Sequence, residues 1–208
     1  MRFLCLHGLG TNSKVRQTQN STTVHWTAAL RNELGPDHTF EFVEGSYYHP
    51  DARSYMRAFQ LLEAYIDANG PFDGIFGFSQ GAGISLMYLI RHTHLHPDTP
   101  LPFKLAILFS RIGVRDVGRW VKTGEAVPLS SMPPGLDKLK LPVASIWGKD
   151  DWPTAKLEAA TTEALVSEGF VWSFVHAGGH ETPCPRIEGS VAGAAKVIKR
   201  AIAQSSLI

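Results

Sequence analysis

Short apolar runs alternate with longer amphipathic stretches along this chain, and the alternation predicts its architecture. Phe3–His7, Phe40–Glu44, Gly74–Phe78, Leu105–Ser110, Val143–Trp147 and Val171–His176 are rich in Val, Ile, Leu and Phe, and each predicts a strand. Helical patterns fall between them near Val24–Leu34, Arg53–Asn69, Gln80–His92, Thr154–Glu168 and Glu188–Gln204. The strand runs are continuously apolar, as expected where helices cover both faces of a sheet. Strand–helix alternation then calls for a doubly wound, mostly parallel sheet of about six strands with right-handed crossovers. A length of 208 residues suits a single domain, 1–208, with no internal repeat.

The stretch after Gly81 is apolar nearly all round (Ala82, Gly83, Ile84, Leu86, Met87, Leu89, Ile90), which predicts a centrally buried helix. Two stretches break the rhythm: Gly45–Asp51, and the long run from Arg111 to Lys140. Both follow predicted strands, and ligands of open α/β sheets bind outside the strands' carboxyl ends. They are expected to wall a pocket. Tyr47, Tyr48, Trp120, Trp147 and Trp152 lie in or near these loops, or pack in the core.

Composition removes several function classes. Net charge is +1 with no long basic or acidic run, which argues against nucleic acid or a membrane surface as partner. The two cysteines make no disulfide framework and favour a reducing compartment. The apolar N-terminal stretch Phe3–Leu6 is shorter than the roughly 7–15 residues of a signal-peptide core. A cytoplasmic location is expected.

Gly77-Phe78-Ser79-Gln80-Gly81 matches G-x-S-x-G between a strand and a buried helix, the setting in which a serine is strained and its hydroxyl presented for attack. The bland reading is a glycine-bordered turn with an N-cap serine. A serine needs a base to take its proton. Of nine histidines, His180 follows the last strand after paired glycines, where the base of such a triad belongs. His176 closes the strand itself and reads as a polar strand-end residue. His92, His94 and His96 read as solvated cations at a helix end rather than a metal site. The orienting carboxylate comes between serine and histidine in chain order, from Asp150 or Asp151, and periodicity does not choose between them. Backbone N–H groups of Gln80 and Leu9 are the expected oxyanion donors. His7 reads as a structural residue of the loop holding Leu9.

Taken together, LCLHGLGTN, PFDGIFGFSQGA, PFKLAILFS, WGKDD and AGGHETP resemble, in order, the serine hydrolases called the FSH family. The resemblance spans Phe3 to the final helix. It implies a lidless α/β-hydrolase fold with a Ser–His–Asp triad and no cofactor. Its members include fungal thioesterases that release polyketides from their synthases, and esterases acting on fatty acyl esters. A family G-x-x-D pattern selects Asp151 as the acid. Two positions depart from the family: Arg111 stands where glycine is common, and Trp152-Pro153 replaces a Val or Ile after the acid. Arg111 either binds a substrate carboxylate or phosphate, or faces solvent and pairs with Asp116.

The reading is therefore an ester or thioester hydrolase working through an acyl-serine, on a small molecule or an acyl-carrier-protein-bound polyketide. An acyltransferase or cyclase would use the same acyl-enzyme. A ligand-binding protein on the same scaffold would not need an intact triad.

Overall fold

The computed structural model describes residues 1–8, 22–43, 51–129 and 137–208. Six strands form one sheet: β1 (Arg2–Leu6), β2 (Thr39–Val43), β3 (Gly74–Phe78), β4 (Leu105–Phe109), β5 (Val143–Gly148) and β6 (Val171–His176). All pairings are parallel, in the order β2-β1-β3-β4-β5-β6. The helices are α1 (Thr22–Leu34), α2 (Ala52–Asn69), α3 (Gln80–Leu95), α4 (Val117–Thr123), α5 (Pro153–Ala160), α6 (Thr162–Leu165) and α7 (Ser190–Ser205).

Side-chain alternation along each strand divides the core into two layers. From β4, Ala106 and Leu108 join a cluster with α2 and α3, whereas Leu105, Ile107 and Phe109 join one with α1 and α7. Every residue of β4 is buried, which is why its sequence shows no polar alternation. The sheet runs outward from β1 in two directions, towards β2 and towards β3. The strand order therefore reverses between β1 and β3, and the loop after β3 opens at that switch point.

Two stretches differ from the sequence expectation. The helix expected over Thr154–Glu168 breaks at Thr161 into α5 and α6 and stops at Leu165, where Val166 turns extended to pair with Leu139 and both enter the core. The run expected to be irregular after Arg111 contains α4. Asp116 caps it by accepting from the Arg119 N–H at 2.9 Å, and Gly124 ends it at φ 73°. Among the described residues, no helix is long and apolar enough to cross a membrane.

Candidate active site

The turn from β3 into α3 places Ser79 at a helix N-terminus with φ 55° and ψ −122°, a region sparsely populated by residues other than glycine. The tightness of this turn explains its glycines. A Cβ on Gly77 would lie 2.5 Å from the Ala82 Cα, and one on Gly81 would lie 2.5 Å from the Leu6 carbonyl oxygen. Backbone hydrogen bonds offset the strain at Ser79. Its N–H donates to the Phe109 carbonyl at 2.9 Å, and its carbonyl accepts from the Ala82 and Gly83 N–H groups at 3.1 Å.

His180 meets Ser79 across 101 positions of sequence, with Nε2 2.9 Å from the serine Oγ. On the other edge of the ring, Nδ1 lies 2.6 Å from Asp151 Oδ1. Both bonds are made when the ring is neutral: the serine hydroxyl donates to Nε2 and the Nδ1–H donates to the carboxylate. The Asp151 side chain is fully buried and that of His180 nearly so, and Asp151 Oδ1 also accepts from the Trp152 N–H at 2.7 Å. Asp150 is exposed, so of the two aspartates Asp151 is the one brought to the imidazole.

The loops carrying acid and imidazole are locked together by backbone. The Asp150 N–H donates to the Gly178 carbonyl at 3.1 Å, and a Cβ on Gly148 would collide with the Gly178 and Gly179 carbonyl oxygens. Aromatic rings complete the setting. The Trp152 indole lies nearly parallel to the His180 ring, with centroids 3.7 Å apart and planes 6° apart. Phe78 approaches at 5.3 Å and 41°. Sequence reasoning took Trp152 for a pocket wall and missed this stack, because residues 28 positions apart carry no local signal of facing one another.

Gln80 opens α3, so its backbone N–H is among the first-turn donors that lack an acceptor within the helix. Its side chain hydrogen-bonds the buried Tyr55 hydroxyl, whose pKa burial pushes up. Leu9, Tyr47 and Tyr48 lie outside the described residues. His176 closes β6, buried, and accepts from the Gly178 N–H at 3.1 Å, while burial lowers its pKa and favours the neutral ring. The His7 Nδ1–H donates to the Gly8 carbonyl at 2.8 Å, a contact within its own loop.

Arg111 corrects one of the two expectations made for it. It neither faces solvent nor pairs with Asp116: it is 2% exposed, and its Nε and Nη1 are buried without a hydrogen-bond partner among the described residues. Instead its Nη2 donates to the Glu158 backbone carbonyl on α5. The Glu158 carboxylate accepts from the Gly113 and Val114 N–H groups at 2.9 and 3.1 Å and pairs with Arg115 at 3.5 Å, and its charge also favours the buried Arg111 cation. Burial lowers the Arg111 pKa to about 10, so it stays charged near neutrality. Asp116 is unavailable because it caps α4. Trp120, within α4, packs on Tyr55 rather than lining a loop, and Trp147 sits half-buried within β5.

Of the three histidines at the end of α3, one differs from expectation. His92 is buried between Tyr88 and His96, and burial lowers its pKa, so it is not a solvated cation. His94 and His96 are exposed. Among the described residues no group of His, Cys, Asp or Glu could hold a metal ion.

This geometry agrees with what the chain is similar to. It is 34% identical to the esterase FPY3 of Fusarium mangiferae, over 99% of this chain and 98% of that one. It is 36% identical to the hydrolase FUB4 of Fusarium oxysporum over 53% of this chain and 46% of that one. The structure of SOBER1 from Arabidopsis thaliana superposes with a TM-score of 0.59 at 17% identity, covering 97% of this chain and 99% of that one. That likeness, with the six-stranded parallel sheet, gives the α/β-hydrolase fold. The family model described as "Serine hydrolase (FSH1)" matches residues 17–187, and the chain belongs to that family of serine hydrolases.

Proposed function

We propose that this serine hydrolase cleaves a carboxylic ester or thioester through an acyl-serine intermediate on Ser79. The observation that carries the reading is the unbroken hydrogen-bonded line Ser79 Oγ, His180, Asp151. His180 takes the serine proton as Oγ attacks the carbonyl carbon, then delivers it to the departing alcohol or thiol. Asp151 holds the Nδ1–H tautomer and faces the imidazolium that forms. The Gln80 N–H, with a second donor proposed at Leu9, receives the charge on the carbonyl oxygen. Water then attacks the acyl-serine by the same route and regenerates the hydroxyl.

For substrate, we infer a polyketide or fatty acyl group carried as an ester or thioester, including a thioester on an acyl carrier protein. The FSH1 membership and the fungal esterase and hydrolase relatives support this placement. A fluorophosphonate probe should label the protein once, at Ser79, as read by peptide mass spectrometry. Labelling elsewhere, or none, overturns the assignment. A matched panel of acyl oxygen esters and acyl N-acetylcysteamine thioesters then separates esterase from thioesterase by kcat/KM.

A further inference from the structure

The His180 ring has two edges and two faces. Both nitrogen edges are occupied, one by Ser79 and one by Asp151. One face carries the Trp152 indole at 3.7 Å and 6°, closer and flatter than any other aromatic pair among the described residues. Core packing does not account for this placement, because Trp152 is 54% exposed. A large exposed aromatic laid flat on an imidazole is explained by what it does to the imidazole. Its backbone is tethered at the same spot, since the Trp152 N–H donates to Asp151 Oδ1 and Pro153 begins α5 directly after it.

Building on the assignment of His180 as base, we propose that Trp152 is a positioning residue that holds the imidazole and stabilises its protonated form through the indole face. An indole face is electrostatically negative, so it attracts an imidazolium more than a neutral imidazole. As general base the ring takes up a proton on the way to the transition state, so the contact strengthens as the reaction proceeds. Other titratable groups surround the ring on the elements packed against it. Asp151 is bonded to it, and Asp150 and Lys149 on the same loop are exposed. On the β6 side stand His176, which burial holds towards the neutral form, and Glu181, 3.5 Å from Arg186. His7 lies across the elbow and bonds its own loop. Trp152 stacks face to face on the ring.

The proposal has a distinctive kinetic signature. At low pH both free enzyme and transition state carry an imidazolium, so loss of the indole affects them equally and the rate barely changes. At high pH only the transition state is charged, so the plateau of kcat/KM falls. The midpoint of the profile, which reports the free enzyme's base, must then move down by the logarithm of that fall. For Trp152→Leu the expected plateau loss is about 3–10-fold with a midpoint lowered by about 0.5–1 unit, the range of a cation–π contact. Trp152→Phe should recover most of both. A uniform fall with an unmoved midpoint, or a midpoint that rises because the ring has gained water, overturns the proposal. Fluorophosphonate labelling of Ser79 is measured on the same three proteins. Labelling that persists beside an unmoved midpoint sinks the role of Trp152 alone, whereas a wild-type protein that is never labelled sinks the assignment of the base.

Discussion

Neighbouring strands β3 and β4 end in the same way and do different things. Ser79 and Ser110 each follow their strand directly, each is buried, and each has a positive φ, 55° and 44°. Each is tied to the next strand along: the Ser79 N–H donates to the Phe109 carbonyl, and the Ser110 N–H to the Ile146 carbonyl. After Ser79 the chain enters α3 at once, and the hydroxyl meets an imidazole. After Ser110 it runs into a loop anchored by Arg111 and Glu158, and among the described residues the hydroxyl has no hydrogen-bond partner. Backbone strain and a buried hydroxyl are thus shared, and the helix that follows and the imidazole it meets set Ser79 apart. Strain marks both strand ends, and the partner set singles out Ser79 as the candidate nucleophile.

The sharpest way to break this comparison is to remove each hydroxyl in turn. Ser79→Ala should lower kcat for a p-nitrophenyl ester by about 10⁴-fold or more, because the nucleophile and its base act as a unit. Ser110→Ala should stay within a few-fold of the parent. Comparable losses in both variants would mean that the second corner takes part in the chemistry. The acid side offers the next largest effect. Asp151→Asn leaves the geometry but disfavours the required tautomer, and should cost about 10⁴-fold in kcat. Asp150→Asn, at an exposed side chain, should cost far less, and the reverse ranking would reassign the acid.

How much of this was visible in the sequence follows the same division. Where one residue's neighbours in sequence impose the geometry, it was legible. The elbow glycines, the apolar strands and the buried α3 all announce themselves locally. His180 was placed by its position after the last strand, and Asp151 was separated from Asp150 only through family resemblance. Arg111 was misread because its partner Glu158 lies 47 positions away, on a helix whose packing no periodicity reveals. The Trp152 stack was missed for the same reason. The short α4 was legible in principle, since Asp116 and Gly124 bracket it with cap signals, but its seven residues are too few to show a period.

The anchor at the end of β4 gives a stability prediction to set against the activity predictions at the end of β3. Glu158→Ala would leave Arg111 without its counter-charge and the Gly113 and Val114 N–H groups without their acceptor. Breaking a buried charge arrangement by removing one member costs about 3–5 kcal/mol. Arg111→Met removes the cation together with its desolvation cost, and should destabilise less. Urea unfolding of both variants checks the order. If Arg111→Met proves the more damaging, Arg111 makes contacts beyond the Glu158 carbonyl.

The smallest expected effect extends the contrast from serines to histidines. His180 has a partner on each ring nitrogen, whereas His176 and His92 are buried with one nitrogen unpartnered among the described residues, Nε2 and Nδ1 respectively. Burial lowers the pKa of both. A histidine with a depressed folded pKa takes up its proton more readily in the unfolded chain, so between the two values the unfolded state binds more protons. Stability therefore rises with pH across that window, and falls as pH drops from the unfolded value of about 6.5 towards the folded one. Each such group contributes a slope of at most about 1.4 kcal/mol per pH unit, and nothing above the window. The urea midpoint should accordingly be flat above about pH 7.5 and decline below about pH 6.5. His92→Leu keeps the site apolar beneath Tyr88 and removes one titrating group, so its decline should be shallower at unchanged alkaline stability. A variant as pH-sensitive as the parent would show that His92 gains its proton without unfolding, through an opening at the end of α3.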